Sequence, residues 1–321
     1  MSDGRPRISV IINTLNEEKN LPYALRSVAP WADEIVVVDM HSEDRTAAIA
    51  REYGAKVFLH ERMGFADPAR QFAFAQATGE WLLVLDADEL IPAPLSERIQ
   101  AIVREDQADV VTFRRVEYML GSPLHNSGYQ LAQNKHTRLF KRDFLQANPA
   151  IHDFLKPIPE ARVLDLPIRP GEVMIHFAFL DTTSFLDKIN RYSTIEATQS
   201  FARGAGKTPV WVPRDMRPYP PPRILFQGRR SAGWALLYAA FHTVSRYVKN
   251  RGYRDGWRGA YIALFWGMYY LAAYAKLMEL ETTGTREMIE ERYHDVAEHV
   301  LKEYEKAPHD ASNATDHPRD S

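Results

Sequence analysis

The sequence predicts an α/β fold, a mostly parallel sheet sandwiched by helices, with a C-terminal helical extension. Two observations carry this expectation. The runs RISVIINT (7–14), EIVVVDM (34–40) and WLLVLDA (81–87) are near-continuously apolar, the pattern of strands covered on both faces. Helical stretches at 17–32 and 44–54 follow the first two of them, and strand–helix alternation is the signature of parallel pairing.

In chain order, AKVFLH (55–60) reads as a further short strand and PARQFAFAQAT (68–78) as the helix leading into Trp81. SERIQAIVRE (96–105) is helical, and ADVVTFRRVEYM (108–119) alternates better than the earlier strands, predicting an edge or antiparallel strand. From about 121 to 180 periodicity fades and His, Asn, Gly and Pro become frequent, a loop-rich region of the kind where sites are built. Helical pattern returns over 183–204. TPVWVPRDMRPYPPPR (208–223) holds too much proline for either regular element and reads as a connector. Beyond it lie a helical pair (about 232–249 and 255–281), a charged helix (286–306) and a polar tail.

At 321 residues the chain can bury a sizeable core. Its 40 basic and 42 acidic residues nearly cancel, so no whole-protein field favours nucleic acid, and no nucleic-acid partner is expected. The absence of cysteine excludes disulfides, zinc-thiolate sites and thiol catalysis, and fits a reducing compartment. The N-terminal stretch shows no signal-peptide pattern, so a cytoplasmic location is expected.

The chemistry is expected at strand ends. In an open parallel sheet, ligands bind beyond the carboxyl ends of the strands. Polar groups fall there after each long run: Asn13, Thr14, Asn16 and Glu17 after the first, Asp39 and Ser42 after the second, and Asp86, Asp88 and Glu89 after the third. With 20 aspartates, chance alone yields about one Asp-x-Asp pair, so the signal lies in its place after WLLVL. One reading is an acidic helix start before PAPLSERIQAIV; the other is a Mg2+ or Mn2+ site, because hard divalent ions take carboxylate oxygen together with substrate phosphate. The turn NTLNEEKN lacks the glycines of a dinucleotide fingerprint, and no Walker sequence is present, so diphosphate charge has to be met by metal and side chains.

The stretch ISVIINTLNEEKNLPYALRSVAPWADEIVVVDMHSEDRTAAIAREYGAKV, followed by GEWLLVLDADE, resembles the start of an inverting family 2 glycosyltransferase of GT-A fold. The resemblance is nearest to the bacterial subgroup that extends lipopolysaccharide inner cores with glucose, and it covers roughly residues 7–280. It implies a domain plan of a flexible N-terminus (1–6), a GT-A nucleotide-sugar transferase domain (7–207), a Pro-rich connector (208–231), a helical region that could associate with membrane (232–306) and a disordered tail (307–321). It implies a nucleoside-diphosphate-sugar donor, a UDP-sugar first, and a glycolipid or glycan acceptor. Thr14, Asn16, Glu17, Asp39 and Ser42 would lie at the nucleotide, with Arg70 near base or phosphate, and Asp86 and Asp88 addressing ribose and metal-diphosphate. For single positions other readings stay open: Asn16 as a helix cap, Arg70 as an exposed helix residue.

In such a reaction negative charge gathers on the departing diphosphate, where a divalent cation stabilises it, while a carboxylate takes the acceptor proton. The candidate base is Asp153 in NPAIHDFL, where the family usually has His-Glu; this His-Asp departs from the pattern and shortens the carboxylate's reach. His152 is placed to orient it or to contact acceptor or phosphate. His176 in EVMIHFAF matches the family's histidine motif and would help hold the metal or diphosphate; a packed core histidine is the alternative. Arg138 in TRLFKR is a candidate acceptor or phosphate contact, against a surface salt bridge.

In AGWALLYAAFHTVSRYVKN, residues Trp234, Leu237, Tyr238, Phe241, Val244 and Val248 follow helical spacing and predict a core stripe, with His242, Arg246 and Lys249 on the other side. GAYIALFWGMYYLAAYA (259–275) has no charge; a core helix, an interfacial helix and a membrane span all fit it. Arg229, Arg230, Arg246, Lys249, Arg251, Arg254 and Arg258 could meet anionic head groups, giving an expectation of peripheral attachment to the inner face of the cytoplasmic membrane. A non-catalytic nucleotide-sugar-binding or membrane-scaffold protein on the same fold is the competing class.

Overall fold

The computed structural model describes residues 6–62, 67–147, 155–202, 232–284 and 286–306. The predicted strands form: β1 (Ile8–Thr14), β2 (Glu34–Asp39), β3 (Lys56–Leu59) and β4 (Trp81–Asp86), separated by α1 (Leu21–Val28), α2 (Thr46–Glu52) and α3 (Asp67–Gln76). After the two-residue strand β5 (Glu89–Leu90) comes α4 (Ala93–Arg104), then β6 (Val110–Met119), β7 (Ser122–Leu124), β8 (Lys135–Lys141), β9 (Leu145–Ala147), β10 (Leu155–Pro157), β11 (Val163–Asp165) and β12 (Met174–Phe179). The helical part comprises α5 (Thr182–Ala202), α6 (Ala232–Val244), α7 (Gly256–Thr282) and α8 (Arg286–Lys306).

The main sheet runs β3-β2-β1-β4-β8-β6-β12-β5, with β7 and β11 also paired to β6; β9 and β10 form a separate antiparallel pair. The first four strands are parallel, as the apolar runs predict. Residues alternate between the two faces of β1. Val10 and Ile12 join Leu21, Leu25, Leu83 and Ile99 on one side, whereas Ile11 joins Val36, Leu82, Val84 and Ala73 on the other. Each such buried aliphatic side chain contributes about 1.5–3 kcal/mol by leaving water.

Two expectations need correction here. The strand read as an edge or antiparallel strand is β6: the antiparallel pairing holds, with β8 and β7, but the strand is no edge and lies inside the sheet, parallel also to β12 and β11. Its alternation misleads because Arg114, Arg115 and Glu117 are buried charges with partners, not a solvated face. The stretch from 121 to 180 read as loops also holds, among its described residues, six short strands, with β8 between β4 and β6.

A third apolar cluster joins the sheet to the helices, with Met119, Leu120, Tyr129 and Phe185 meeting Tyr238, Ile262, Trp266 and Tyr269. Here most of the expected face of α6 is reversed. Of the predicted stripe Tyr238 is buried and Trp234 half-buried, but Leu237, Phe241, Val244 and Val248 are exposed; on the other side Lys249 is exposed as expected, whereas His242 and Arg246 are buried. The cause is a close helix approach. A Cβ on Gly267 of α7 would come 2.2 Å from Thr243 Oγ1, and such a gap admits the face carrying Ala235 and Ala239, not the leucines. His242 packs among the rings of Tyr238 and Tyr270, at centroid distances of 4.2 and 4.4 Å. Arg246 donates from Nη1 to the Ser127 carbonyl at 2.7 Å and stacks on Trp266, so it is not available to a head group.

Helix α7 buries Ile262, Ala263, Trp266, Tyr269, Tyr270 and Ala273 and exposes Trp257, Tyr261, Leu264 and Met268. Among the described residues no helix is long and apolar enough to cross a membrane, which removes the spanning reading of 259–275. The connector at 208–231, with Arg229 and Arg230, lies outside the described residues.

Candidate active site

Strand register brings the predicted acids into one row. Thr14 of β1 stands opposite Asp39 of β2, and Asn13 stands opposite Asp86 of β4. Helices α1 and α3 leave the sheet on opposite faces there, so the crevice opens at the carboxyl ends of β2, β1 and β4.

On the β1–β2 side the polar groups brace one another. Thr14 Oγ1 donates to Asp39 Oδ1 at 3.1 Å, Ser42 N donates to Asp39 Oδ2 at 3.0 Å, and Ser42 Oγ donates to Asp39 Oδ1. Asn16 does not cap α1. Its backbone N–H donates to Ser42 Oγ at 2.9 Å, and its Oδ1 accepts from Glu43 N at 2.8 Å, tying the two loops together. It does so at φ 55°, a left-handed conformation that asparagine tolerates better than most residues. Glu17 sits close enough to Asp88 to feel its charge; burial first, and then that charge, push its carboxyl up to about 7.

The two aspartates of LVLDADE take different partners. Asp86 takes one hydrogen bond from Arg70 Nη2 at 2.8 Å and another from Arg138 Nη2 at 2.7 Å, and its backbone N–H donates to Glu89 Oε2 at 2.9 Å. Burial works against its charge, but Arg138 and then Arg70 hold the carboxyl well below the usual range. Arg138 is therefore no surface salt bridge. It is 5% exposed and also donates to Glu89 at 2.5 Å.

Asp88 goes elsewhere. Its backbone carbonyl accepts from Phe177 N at 2.9 Å, and His176 Nε2 lies 3.2 Å from Asp88 Oδ2. Pairing of β12 with both β5 and β6 sets His176 opposite Glu89 on one side and Glu117 on the other. His176 Nδ1 is hydrogen-bonded to Glu117, which in turn accepts from Arg115 Nε at 2.7 Å and from Asn134 Nδ2 at 2.9 Å. Burial and Arg115 push His176 down, yet Glu117 and Asp88 prevail and raise it to about 9. In this form the imidazole is charged and donates to a carboxylate at each nitrogen, and it would have to give up the Nε2 proton to ligate a metal.

The donor set suits a divalent ion of the Mg2+ or Mn2+ class in one specific way. Asp88 and His176 stand side by side, and Glu117 behind Nδ1 orients the ring, as outer carboxylates do for metal-bound histidines. Among the described residues no group of three or more His, Asp or Glu could hold a metal. The pair thus fits an ion that completes its shell with water and substrate oxygens, and does not fit a closed structural site. Asp86 is committed to arginines, leaving Asp88 as the acid of the pair open to a metal.

Sequence reading missed Arg115, Glu117 and Asn134. The first two left a signal, two charges at alternate positions of TFRRVEYM where a buried strand should be apolar. Asn134 left none. Asp153 and His152 lie outside the described residues.

Residues 9–155 match the family described as Glycosyl transferase family 2. Among curated relatives, a glycosyltransferase of Rickettsia felis is 29% identical over 206 residues, covering 62% of this chain and 71% of its own. The lipopolysaccharide core biosynthesis glycosyltransferase LpsC of Rhizobium meliloti is 29% identical over 208 residues, covering 61% and 73%. Among solved structures, the mannosyltransferase PcManGT of Pyrobaculum calidifontis, in complex with GDP-Man and Mn2+, matches with a TM-score of 0.48 at 16% identity, over 85% of this chain and 87% of that one. TarS of S. aureus matches at 0.40 and 18% identity, over 78% of this chain, which spans under half, 46%, of that longer protein. The curated relatives favour the transferase class over the non-catalytic alternative. The match over residues 9–155, just under half of the chain, together with the curated relatives, makes this chain a glycosyltransferase that carries a glycosyl transferase family 2 domain.

Proposed function

We propose that the chain transfers a sugar, with inversion, from a nucleoside-diphosphate sugar, a UDP-sugar first, to a hydroxyl of a glycolipid or surface-glycan precursor of the lipopolysaccharide-core kind. The observation that carries this is the divided acid cluster: Asp86 braced by Arg70 and Arg138, and Asp88 beside a histidine that Glu117 orients. The name of LpsC, similar over 61% of this chain, supports the acceptor class.

In this reading Asp39, Thr14, Ser42, Asn16 and Glu17 form the nucleotide wall, Arg70 and Asp86 the floor between ribose and phosphate, and Asp88 with His176 would hold Mg2+ or Mn2+. A divalent ion there would act as a Lewis acid for the charge that collects on the leaving diphosphate. Glu117 keeps Nε2 of His176 turned toward Asp88, and the Arg138 brace keeps Asp86 ionised. Asp153 is proposed as the base that removes the acceptor proton, with His152 beside it; both belong to residues 148–154, outside those described.

The exposed apolar side chains Leu236, Leu237, Phe241 and Val244 of α6 and Trp257, Tyr261, Leu264 and Met268 of α7, with Lys249, Arg251 and Arg254 exposed between the helices, support attachment to an anionic membrane surface. Such attachment would bring the crevice near a lipid-linked acceptor.

The test is a panel of uridine, guanosine and thymidine diphosphate sugars, assayed for slow release of nucleoside diphosphate with and without Mn2+. Metal-dependent release from one donor is expected. Equal release with and without metal, or from none of the panel, overturns the reading.

A further inference from the structure

We infer that Asn134, at the entry to β8, is a positioning residue: its side-chain amide sets the carboxylate of Glu117 and, through it, the imidazole of His176 beside Asp88. The inference rests on the metal reading of Asp88 and His176 above, and it gives a role to a residue outside the row of strand-end acids.

Strands β6 and β8 pair antiparallel as far as Arg114 opposite Lys135, one residue short of Asn134. Asn134 carries the pairing a step further with its own side chain. Its carbonyl accepts from Arg115 N at 3.2 Å, while its Nδ2 donates to the Arg115 carbonyl at 2.6 Å. The second hydrogen of that amide goes to Glu117 Oε1 at 2.9 Å, and Oδ1 lies 2.8 Å from His136 Nε2. These contacts fix the orientation of the amide, because a flip would set its oxygen against a carbonyl and a carboxylate; His136 Nε2 is therefore the donor to Oδ1.

The consequence falls on Glu117. Its Oε1 takes two donors, Arg115 Nε at 2.7 Å and Asn134 Nδ2, which leaves Oε2 for Nδ1 of His176. Arg115 alone is a poor guide, since its Nη1 is also drawn to Glu89 at 2.6 Å. A second donor, from a different segment of chain, stops the carboxylate from turning about the first. Being neutral, the amide adds that donor without a further cation to compete with the imidazole for Glu117. Asn134 is itself held from outside the sheet. Its N–H donates to the Gln130 carbonyl at 3.0 Å, and the Asn250 carbonyl, in the turn after α6, accepts from Gln130 Nε2 at 3.1 Å and from Ser127 N at 2.9 Å. The loop before β8 is thus pinned at both ends, as a strut that aims a side chain has to be.

The test uses the full chain. Free Mn2+ is read by electron paramagnetic resonance with UDP or GDP present, and the His176 Nδ1–H signal is read by NMR in the metal-free chain at one pH. Glu117→Gln should weaken Mn2+ binding by about 10- to 100-fold, the range for an outer partner of a metal-bound histidine, and Asn134→Ala, one bond further out, by about tenfold. The double variant should lose no more than Glu117→Gln alone, because one residue acts through the other. Asn134→Ala should also move the His176 Nδ1–H signal with no metal bound. Asn134→Ser, too short to reach Glu117, should repeat both effects and serves if the alanine variant does not fold. If Asp88→Asn loses Mn2+ binding while both Asn134 variants bind within twofold of wild type, or leave the His176 signal in place, the metal reading stands and Asn134 is excluded. Additive losses in the double variant also overturn the inference, since Asn134 then acts apart from Glu117. A wild type that binds no Mn2+ with either nucleotide, or an Asp88→Asn variant that binds it unchanged, refutes the metal reading itself, and this inference with it.

Discussion

Replacing Asp86 and Asp88 separately by asparagine should give opposite phenotypes, although the two residues are neighbours in one Asp-x-Asp. Asp86 accepts two charge-assisted hydrogen bonds, at 2.8 and 2.7 Å, from Arg70 and Arg138. Each such bond contributes about 1.5–3 kcal/mol, and breaking a buried pair costs about 3–5 kcal/mol. The Asp86 side chain is 32% exposed, and Arg138 keeps Glu89 as a second partner, so the expected loss falls to about 2–4 kcal/mol. For a domain of this size that is roughly 5–12 °C in Tm. Asp88 gives up only a 3.2 Å contact with His176, whose other nitrogen stays on Glu117, so Asp88→Asn should cost about 1 kcal/mol or less. Turnover should order the other way. Losing Asp88, the acid proposed to hold the metal, should lower Mn2+-dependent release of nucleoside diphosphate by about a thousandfold, as removal of a single stabiliser of transition-state charge does elsewhere. Thermal unfolding of both variants, set beside the release assay, decides it. Asp88→Asn with wild-type metal-dependent turnover, or with a stability loss equal to that of Asp86→Asn, would refute the division of labour.

Glu196 is 7% exposed, accepts a hydrogen bond from Tyr269 and is raised to about 8, chiefly by burial. Its proton is held in the folded chain and lost on unfolding, so the stability it contributes is full below about 4.5 and lost as pH rises toward 8; Glu196→Gln should flatten Tm against pH over that window, and an unchanged slope would exclude the group. Gly267→Ala should destabilise by about 1–3 kcal/mol through the 2.2 Å approach to Thr243 Oγ1, with Gly267→Ala/Thr243→Ala recovering most of it in urea titrations; no recovery would place the clash elsewhere. Asp153→Asn should abolish transfer to the acceptor and leave donor binding intact, and normal turnover would remove it as the base. Leu264→Glu with Trp257→Glu should end flotation with anionic liposomes at low salt while leaving donor hydrolysis unchanged; flotation equal to wild type would exclude this face as the membrane contact.

What was legible in the chain divides along a physical line. Thr14, Asp39 and Asp86 could be placed because each closes an apolar run, and parallel pairing then sets the run ends side by side. The same local pattern failed for β8, whose KHTRLFK reads as polar loop. Arg138 is buried there only because Asp86 and Glu89, 52 and 49 positions earlier, supply its partners. It failed again for α6, where the apolar stripe faces out and His242 and Arg246 face in, since the closeness of α7 at Gly267 and the Ser127 carbonyl decide which side fits. Periodicity reports a side chain's own preference for water, whereas burial of a charge depends on a partner that distant sequence provides. That is why the row of polar groups at the strand ends could be read locally, whereas Arg70, Arg138 and His176, named only through the resemblance, and Glu117, not named at all, showed in the fold alone how they sort Asp86 from Asp88.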